Sequence, residues 1–253
     1  MAMNPRLLRP LASGFDPRSL GSLAGWWDAS ASSSITLNGG DVSQWDDLSG
    51  NARHAAQSTG ANQPEYKLAE RNGRNVIQFN GSSDFLRGPW LLTMTAQTTF
   101  AVVAASSTNN WGRAFTQTTT QDGSATGVMN SSFSIPGHYE PLMRNSNTQA
   151  FGSYNGSGIR ATVNFTYDAW GVWSSTHTGT VISNRLNNGS AATYNALTLN
   201  TAFQTYGIGA GLGITINQYL GGYLAEVLTY TKALTDAERD RVHRYLQAKW
   251  NTP

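Results

Sequence analysis

The sequence predicts an all-β domain: a two-sheet antiparallel jelly-roll sandwich with one short C-terminal helix and an extended N-terminal arm. Three observations carry that expectation. From residue 23 onward, short β-prone runs alternate with Asn-Gly, Asp-Gly and Gly-Gly punctuation, the pattern of many strands joined by tight turns. No strand–helix–strand alternation and no fixed-period repeat is superimposed on it. Near the C-terminus a single segment changes to helical spacing behind a capping box.

Residues 1–22 read as the arm. Pro5, Pro10 and Pro17 are too closely spaced for helix, and each biases its predecessor toward extended backbone. Arg6, Leu7, Leu8, Arg9 and Leu11 give this arm the character of an anchor onto a neighbouring subunit, the competing reading being a frayed terminus. The sandwich then spans 23–253. Expected strands are Leu23–Asp28, Asn75–Phe79, Thr99–Ala104, Arg113–Gln117, Thr126–Met129, Gly158–Phe165, Trp170–Thr176, Thr180–Leu186, Thr205–Gly209 and Tyr219–Tyr230. Turns are expected at Asn38-Gly39-Gly40, Asn72-Gly73, Asn80-Gly81, Asp122-Gly123, Asn155-Gly156 and Asn188-Gly189, because these residues accept positive φ. In Thr235-Asp236-Ala237-Glu238, Thr235 can cap the Glu238 amide while Glu238 reaches back. Val242, Tyr245, Leu246 and Trp250 follow as one apolar stripe, with Arg239, Arg241 and Arg244 expected toward solvent. The helix is expected to close one end of the sandwich.

Composition narrows the function classes. The 253 residues are 39% hydrophobic but only 13% charged, about half the usual charged share. Ser, Thr, Asn, Gln and Gly must therefore make the surface polar, which suits neutral partners such as glycans. A net charge of +2 with scattered basic residues argues against nucleic acid. The chain has no cysteine, which removes disulfides, thiolate catalysis and Cys-ligated zinc. No run of roughly 18 apolar residues occurs, so no membrane span is expected. The N-terminus also lacks the apolar stretch of a secretory signal.

Three segments carry a family pattern. One is Leu23-Ala24-Gly25-Trp26-Trp27-Asp28-Ala29 with Val42-Ser43-Gln44-Trp45-Asp46-Asp47-Leu48-Ser49-Gly50-Asn51. The second is Arg74-Asn75-Val76-Ile77-Gln78-Phe79-Asn80-Gly81-Ser82-Ser83-Asp84-Phe85-Leu86. The third is Tyr219 to Tyr230, running into Leu234-Thr235-Asp236-Ala237-Glu238-Arg239. Together, over residues 23–250, they resemble the concanavalin A-like lectin/glucanase superfamily and its laminin-G-like jelly rolls. The opening Asn4-Pro5-Arg6-Leu7-Leu8-Arg9-Pro10 also resembles phage structural proteins. The resemblance implies a non-enzymatic binding or structural module on a virion surface, in a head decoration or a tail fibre. Its implied partners are other virion subunits or surface glycans, and its implied assembly is a homo-oligomer, a trimer by analogy. The rival readings are a glucanase-type carbohydrate-active enzyme and a cellular lectin-like adhesin.

Candidate site residues follow from chemistry. Sugar C–H faces stack on aromatic rings while amides and hydroxyls read hydroxyl groups. Trp111 beside Asn109 and Asn110, then Tyr139 and Tyr154, sit in polar loop contexts and are the carbohydrate-binding candidates. Trp26, Trp170 and Trp173 lie in strand-like runs and are expected in the core. Asp46, Asp47 and Asn51 place hard oxygens close together, a candidate Ca²⁺ loop, although the same residues build an ordinary turn. His54 reads as a loop hydrogen-bonder. Glu226, alone in an apolar strand, reads as a structural carboxylate that satisfies backbone groups. No cofactor is required by any motif. Glycoside hydrolysis needs paired carboxylates; the superfamily's Glu-x-Asp-x-x-Glu run is missing, so the expectation is a protein that is not an enzyme.

Overall fold

The computed structural model describes residues 14–106, 112–118, 139–145, 150–154, 159–195, 201–212, 216 and 218–253. For 139–145, 150, 151, 153, 154, 159, 201 and 202 only the backbone path is described. In chain order the strands begin with β1 (Leu23–Asp28), β2 (Ile35–Asn38), β3 (Asp41–Trp45), β4 (Ala55–Ala56), β5 (Glu65–Arg71) and β6 (Arg74–Asn80). Next come β7 (Leu86–Met94), β8 (Gln97–Ala105), β9 (Arg113–Thr118), β10 (Tyr139–Asn145), β11 (Ala150–Tyr154) and β12 (Ile159–Asn164). The last are β13 (Gly171–His177), β14 (Val181–Leu186), β15 (Ala192–Asn195), β16 (Thr201–Ile208) and β17 (Gly221–Tyr230), before helix α1 (Asp236–Trp250).

The fold is an all-β sandwich with antiparallel pairing throughout. One layer runs β15–β14–β13–β8–β17. The outer edge of β17 is shared by β1 over Glu226–Tyr230 and by β6 over Gly221–Leu224. The other layer runs β12–β11–β10–β9–β16–β7. Short β4 pairs with both β3 and β7 and links the two layers. Trp27, Val103, Trp173, Leu224 and Val227 of the first layer meet Trp90, Phe115, Phe203 and Tyr206 of the second in one core.

Strand β8 is buried at every residue. Its Ala101, Val103 and Ala105 face the sandwich interior, while Phe100 and Val102 face outward under α1 with Leu228, Val242, Leu246 and Trp250. A strand covered on both faces reads as a continuous apolar run, and Phe100-Ala101-Val102-Val103-Ala104-Ala105 does. The helix therefore lies across the outer face of β13, β8 and β17 and does not close an end of the sandwich. Two covered faces need a third layer, and the apolar stripe of α1 supplies it.

Local chemistry explains the elements that periodicity alone leaves out. Glu65-Tyr66-Lys67-Leu68-Ala69-Glu70-Arg71 alternates only over its first four residues, yet β5 forms because Asn72 (φ 52°) and Gly73 (φ 70°) turn it back onto β6. Pro89 lies within β7, where it is tolerated at the irregularity opposite Phe203 and Thr205. The expected strand at Thr126–Met129 falls outside the described residues.

Helix α1 starts as its sequence requires. Thr235 Oγ1 accepts from the Glu238 amide at 3.3 Å, and Glu238 Oε2 accepts from the Thr235 amide at 2.8 Å. Replacing Thr235 by Ala is expected to cost about 1 kcal/mol of stability, read as a lowered urea midpoint; an unchanged midpoint would show that the cap contributes nothing. At the other end, Arg71, Asn72 and Arg74 of the β5–β6 hairpin donate to the carbonyls of Trp250 and Lys249. They thereby satisfy acceptors that the helix cannot pair internally.

The described part of the N-terminal segment is packed on the domain. Leu20 joins the core beneath α1, Phe15 lies 5.5 Å from Tyr245, and Arg18 donates to the Leu48 carbonyl. The anchor candidates Arg6, Leu7, Leu8, Arg9 and Leu11 lie outside the described residues.

Candidate functional site

A cleft of about 300 Å³ opens where the chain crosses from β12 in one layer to β13 in the other. Phe165, Trp170, Trp173 and Leu186 supply its apolar lining, while Asn164, Thr166 and Asn187 supply polar groups. The connection is fixed by two backbone bonds: the Asp168 amide donates to Ala105, and the Ala169 amide to Thr166. Asp168 takes φ 58° to make this bend. Phe165 packs 5.2 Å from Trp173, and half-buried Trp170 stacks on Tyr223 at 6.0 Å.

The far wall comes from the end of β14. Asn187 (φ 50°) and Asn188 (φ 61°) turn left-handed there, a conformation Asn accepts more readily than most residues. The Asn187 Oδ1 accepts from the Val172 amide at 2.7 Å, which leaves the amide nitrogen of that side chain as the group offered to a ligand. Leu186 packs against Gly171 at the back of the cleft, where a Cβ on Gly171 would lie 2.7 Å from Leu186 Cδ1. Pro253 completes the rim, and its backbone oxygen accepts from Gln247. An apolar floor edged by a few convergent polar groups is the general form of a small-ligand site.

The residues singled out from sequence fall elsewhere. Asn109, Asn110 and Trp111 lie outside the described residues. Tyr139 and Tyr154 lie on adjacent strands, with Glu140 opposite Tyr154, and only their backbone is described. Trp173 is buried in the core as expected, at 1% exposure. Trp170 is half-buried: it packs against the core beneath α1 and also forms a wall of the cleft. It sits at the start of a strand-like run, so alternation placed it inside; the polar and turn-forming residues of Asn164-Phe165-Thr166-Tyr167-Asp168-Ala169 just before it were the available signal.

In the Asp46–Asn51 segment both Asp47 oxygens and Asp46 Oδ1 already have protein partners. Asp47 Oδ1 accepts from the amides of Trp26 and Ser49, and its Oδ2 accepts from Ser49 Oγ and the Arg53 amide. Asn51 spends its amide nitrogen on the carbonyls of Leu23 and Ala24. Asp46 accepts from Gln44 and lies 3.0 Å from His54 Nδ1. Asp47 and Asn51 thereby tie the loop to β1. Among the described residues no group of three or more His, Cys, Asp or Glu side chains is placed to hold a metal ion.

Glu226 is fully buried, and its partners correct the expectation that it serves backbone groups. Its Oε1 accepts from Trp26 Nε1 at 2.8 Å and Tyr245 OH at 3.1 Å; its Oε2 accepts from Trp250 Nε1 and Lys249 Nζ, both at 2.7 Å. Lys249 also reaches Asp28 Oδ2 at 2.5 Å, and Asp28 is the register partner of Glu226 across β1 and β17. Burial pushes the Glu226 carboxyl up from its ordinary pKa, Lys249 opposes that rise, and Asp28 adds to it. A paired carboxylate therefore exists after all, built by strand pairing between residues far apart in sequence. It lies beneath α1, where it links the helix to the sheet.

A second buried polar group corrects the expectation for Arg239. That side chain is 2% exposed and donates to Ser183 Oγ and Ser174 Oγ, both at 3.0 Å. Ser174 Oγ also lies 2.8 Å from His243 Nε2. Arg241 and Arg244 are exposed as expected.

No protein-family profile and no curated protein sequence matches the chain. Solved structures do match in fold. A GH54 α-L-arabinofuranosidase soaked with 4-nitrophenyl α-L-arabinofuranoside is similar with TM-score 0.61 at 14% identity, covering 83% of this chain and 51% of that one. An arabinofuranosidase complexed with arabinofuranosyl-α-1,2-xylobiose gives 0.62 at 13%, with the same coverage. The Trypanosoma rangeli sialidase in complex with 2,3-difluorosialic acid gives 0.56 at 15%, covering 93% of this chain and 36% of that one. The chain thus spans about half or less of the proteins it matches. These matches show a β-sandwich fold shared with glycosidases of two kinds, which corrects the expectation that the protein is not an enzyme: that expectation rested on missing catalytic sequence motifs. The virion part of the expectation rests on the sequence resemblance alone.

Proposed function

We propose that the chain is a carbohydrate-engaging β-sandwich of the kind found in carbohydrate-active proteins, with the Phe165–Trp170 cleft holding the sugar. The observation that carries this reading is the lining itself: aromatic and aliphatic surface edged by Asn164, Thr166 and Asn187. A sugar ring has the same division, with apolar C–H faces and a polar rim of hydroxyls. The arabinofuranosidase and sialidase likenesses support a sugar ligand through the fold. The low charge of the chain supports a largely neutral surface.

The test is glycan binding by isothermal titration, with 4-nitrophenyl α-L-arabinofuranoside hydrolysis measured on the same preparation to distinguish holding from turnover. Trp170→Ala is expected to weaken binding at least about tenfold, since aromatic contacts contribute about 1 kcal/mol or more beyond area burial. Asn164→Ala, at an exposed position, is expected to weaken binding without changing the thermal midpoint. Full affinity in both variants would remove the cleft from consideration.

A further inference from the structure

Resting on the reading that this cleft holds a sugar, we infer that it takes one uncharged terminal sugar ring and discriminates against carboxylate-bearing sugars. The side chains that line it carry no charge: Asn164, Thr166 and Asn187 are its polar members. Arg71, the cation that lies against the Trp170 wall, is committed elsewhere. Its Nε donates to the Trp250 carbonyl at 2.8 Å, its Nη2 to Asn251, and its guanidinium lies 5.8 Å from the Trp170 ring centroid. A carboxylate entering the cleft would lose water without gaining an ionic partner, which is costly.

Size sets the other half of the specificity. A volume of about 300 Å³ is the lower limit for ligand pockets. The back is closed where Gly171 leaves Leu186 no room for even a Cβ between them, and Phe165 and Trp173 are packed into the core behind it. A glycan therefore enters by its end, with one ring inside and the next outside the Pro253 rim.

The experiment titrates the whole chain with methyl glycosides of L-arabinofuranose, D-galactose and D-glucose at millimolar concentration. In parallel it uses the matched galacturonic and glucuronic acid glycosides and sialic acid, following tryptophan fluorescence and heat. A neutral glycoside is expected to bind at least about tenfold more tightly than its uronic acid counterpart, the effect of a buried charged group left without a partner. Asn164→Lys, which adds a cation at the exposed rim, is expected to reverse that preference. Uronic acid or sialic acid binding as tight as the neutral sugar, and lost in Trp170→Ala, would overturn this specificity while leaving the proposed function intact. Failure of every sugar to bind in a Trp170-dependent way would overturn both.

Discussion

Replacing Lys249 by Met is expected to destabilise the protein by about 3–5 kcal/mol, the usual cost of removing one partner from a buried ion pair. Lys249 Nζ sits between Asp28 Oδ2 at 2.5 Å and Glu226 Oε2 at 2.7 Å. Asp28, Glu226 and Lys249 are exposed by only 9%, 0% and 12%, so water cannot replace the ammonium. Methionine keeps the aliphatic volume and leaves two carboxylates facing each other across β1 and β17. The sign of the pH dependence is specific. With its folded-state pKa raised, Glu226 carries a penalty when ionised that disappears as pH falls through that raised value. The deficit of the Lys249→Met protein relative to wild type should therefore shrink on mild acidification. Adding Glu226→Gln should recover part of it at neutral pH. Urea denaturation at several pH values measures both effects, and a pH-independent deficit below 1 kcal/mol (about the value of a surface pair) would show that the triad is not the lock between helix and sheet.

Two buried histidines are expected to make the protein acid-labile in a defined window. His177 is held down to about 4 by burial. His243 is held down to about 3, first by burial and then by repulsion from Arg239 and Arg185. Unfolded histidine titrates near 6.5. Below that value the unfolded chain takes up protons that the folded chain refuses, so stability is complete above pH 6.5 and is lost as pH falls toward 4 and 3. The loss by pH 4 should be about 3 kcal/mol from each residue, at 1.36 kcal/mol per pKa unit. His177→Asn offers the Gly179 amide an acceptor in place of Nδ1, and His243→Gln keeps a group within reach of Ser174. The double variant should flatten the fall between pH 6.5 and pH 4. An equally steep fall in that variant would assign the acid sensitivity to other groups.

Much of the backbone was legible in the sequence where a residue type carries the geometric requirement itself. Asn72-Gly73 turns because those residues accept positive φ, and Thr235 with Glu238 starts a helix because their side chains reach the amides of the first turn. The run Phe100–Ala105 and the strand at Leu23–Asp28 were visible as apolar patterns. The strands at Glu65–Arg71 and Leu86–Met94 were not, because the alternation of the first stops at Leu68 and that of the second is masked by Gly88 and Pro89.

The fold class, the turns at Gly39, Asn72-Gly73, Gly81 and Asn188, and the capped helix could thus be read from the residues alone, because they rest on interactions within a few residues. The expected turns at Asp122-Gly123 and Asn155-Gly156 lie outside the described residues. The tertiary structure decided what each surface meets. Arg239 is buried because Ser174 and Ser183 of neighbouring strands lie beneath it. Glu226 gains Asp28 and Lys249 because strand register and helix packing bring three distant residues together. Trp170 becomes the wall of a cleft because the connection from β12 to β13 crosses between layers at that point. Periodicity can indicate that a face is covered, but the covering partner is chosen by register and packing across the whole chain.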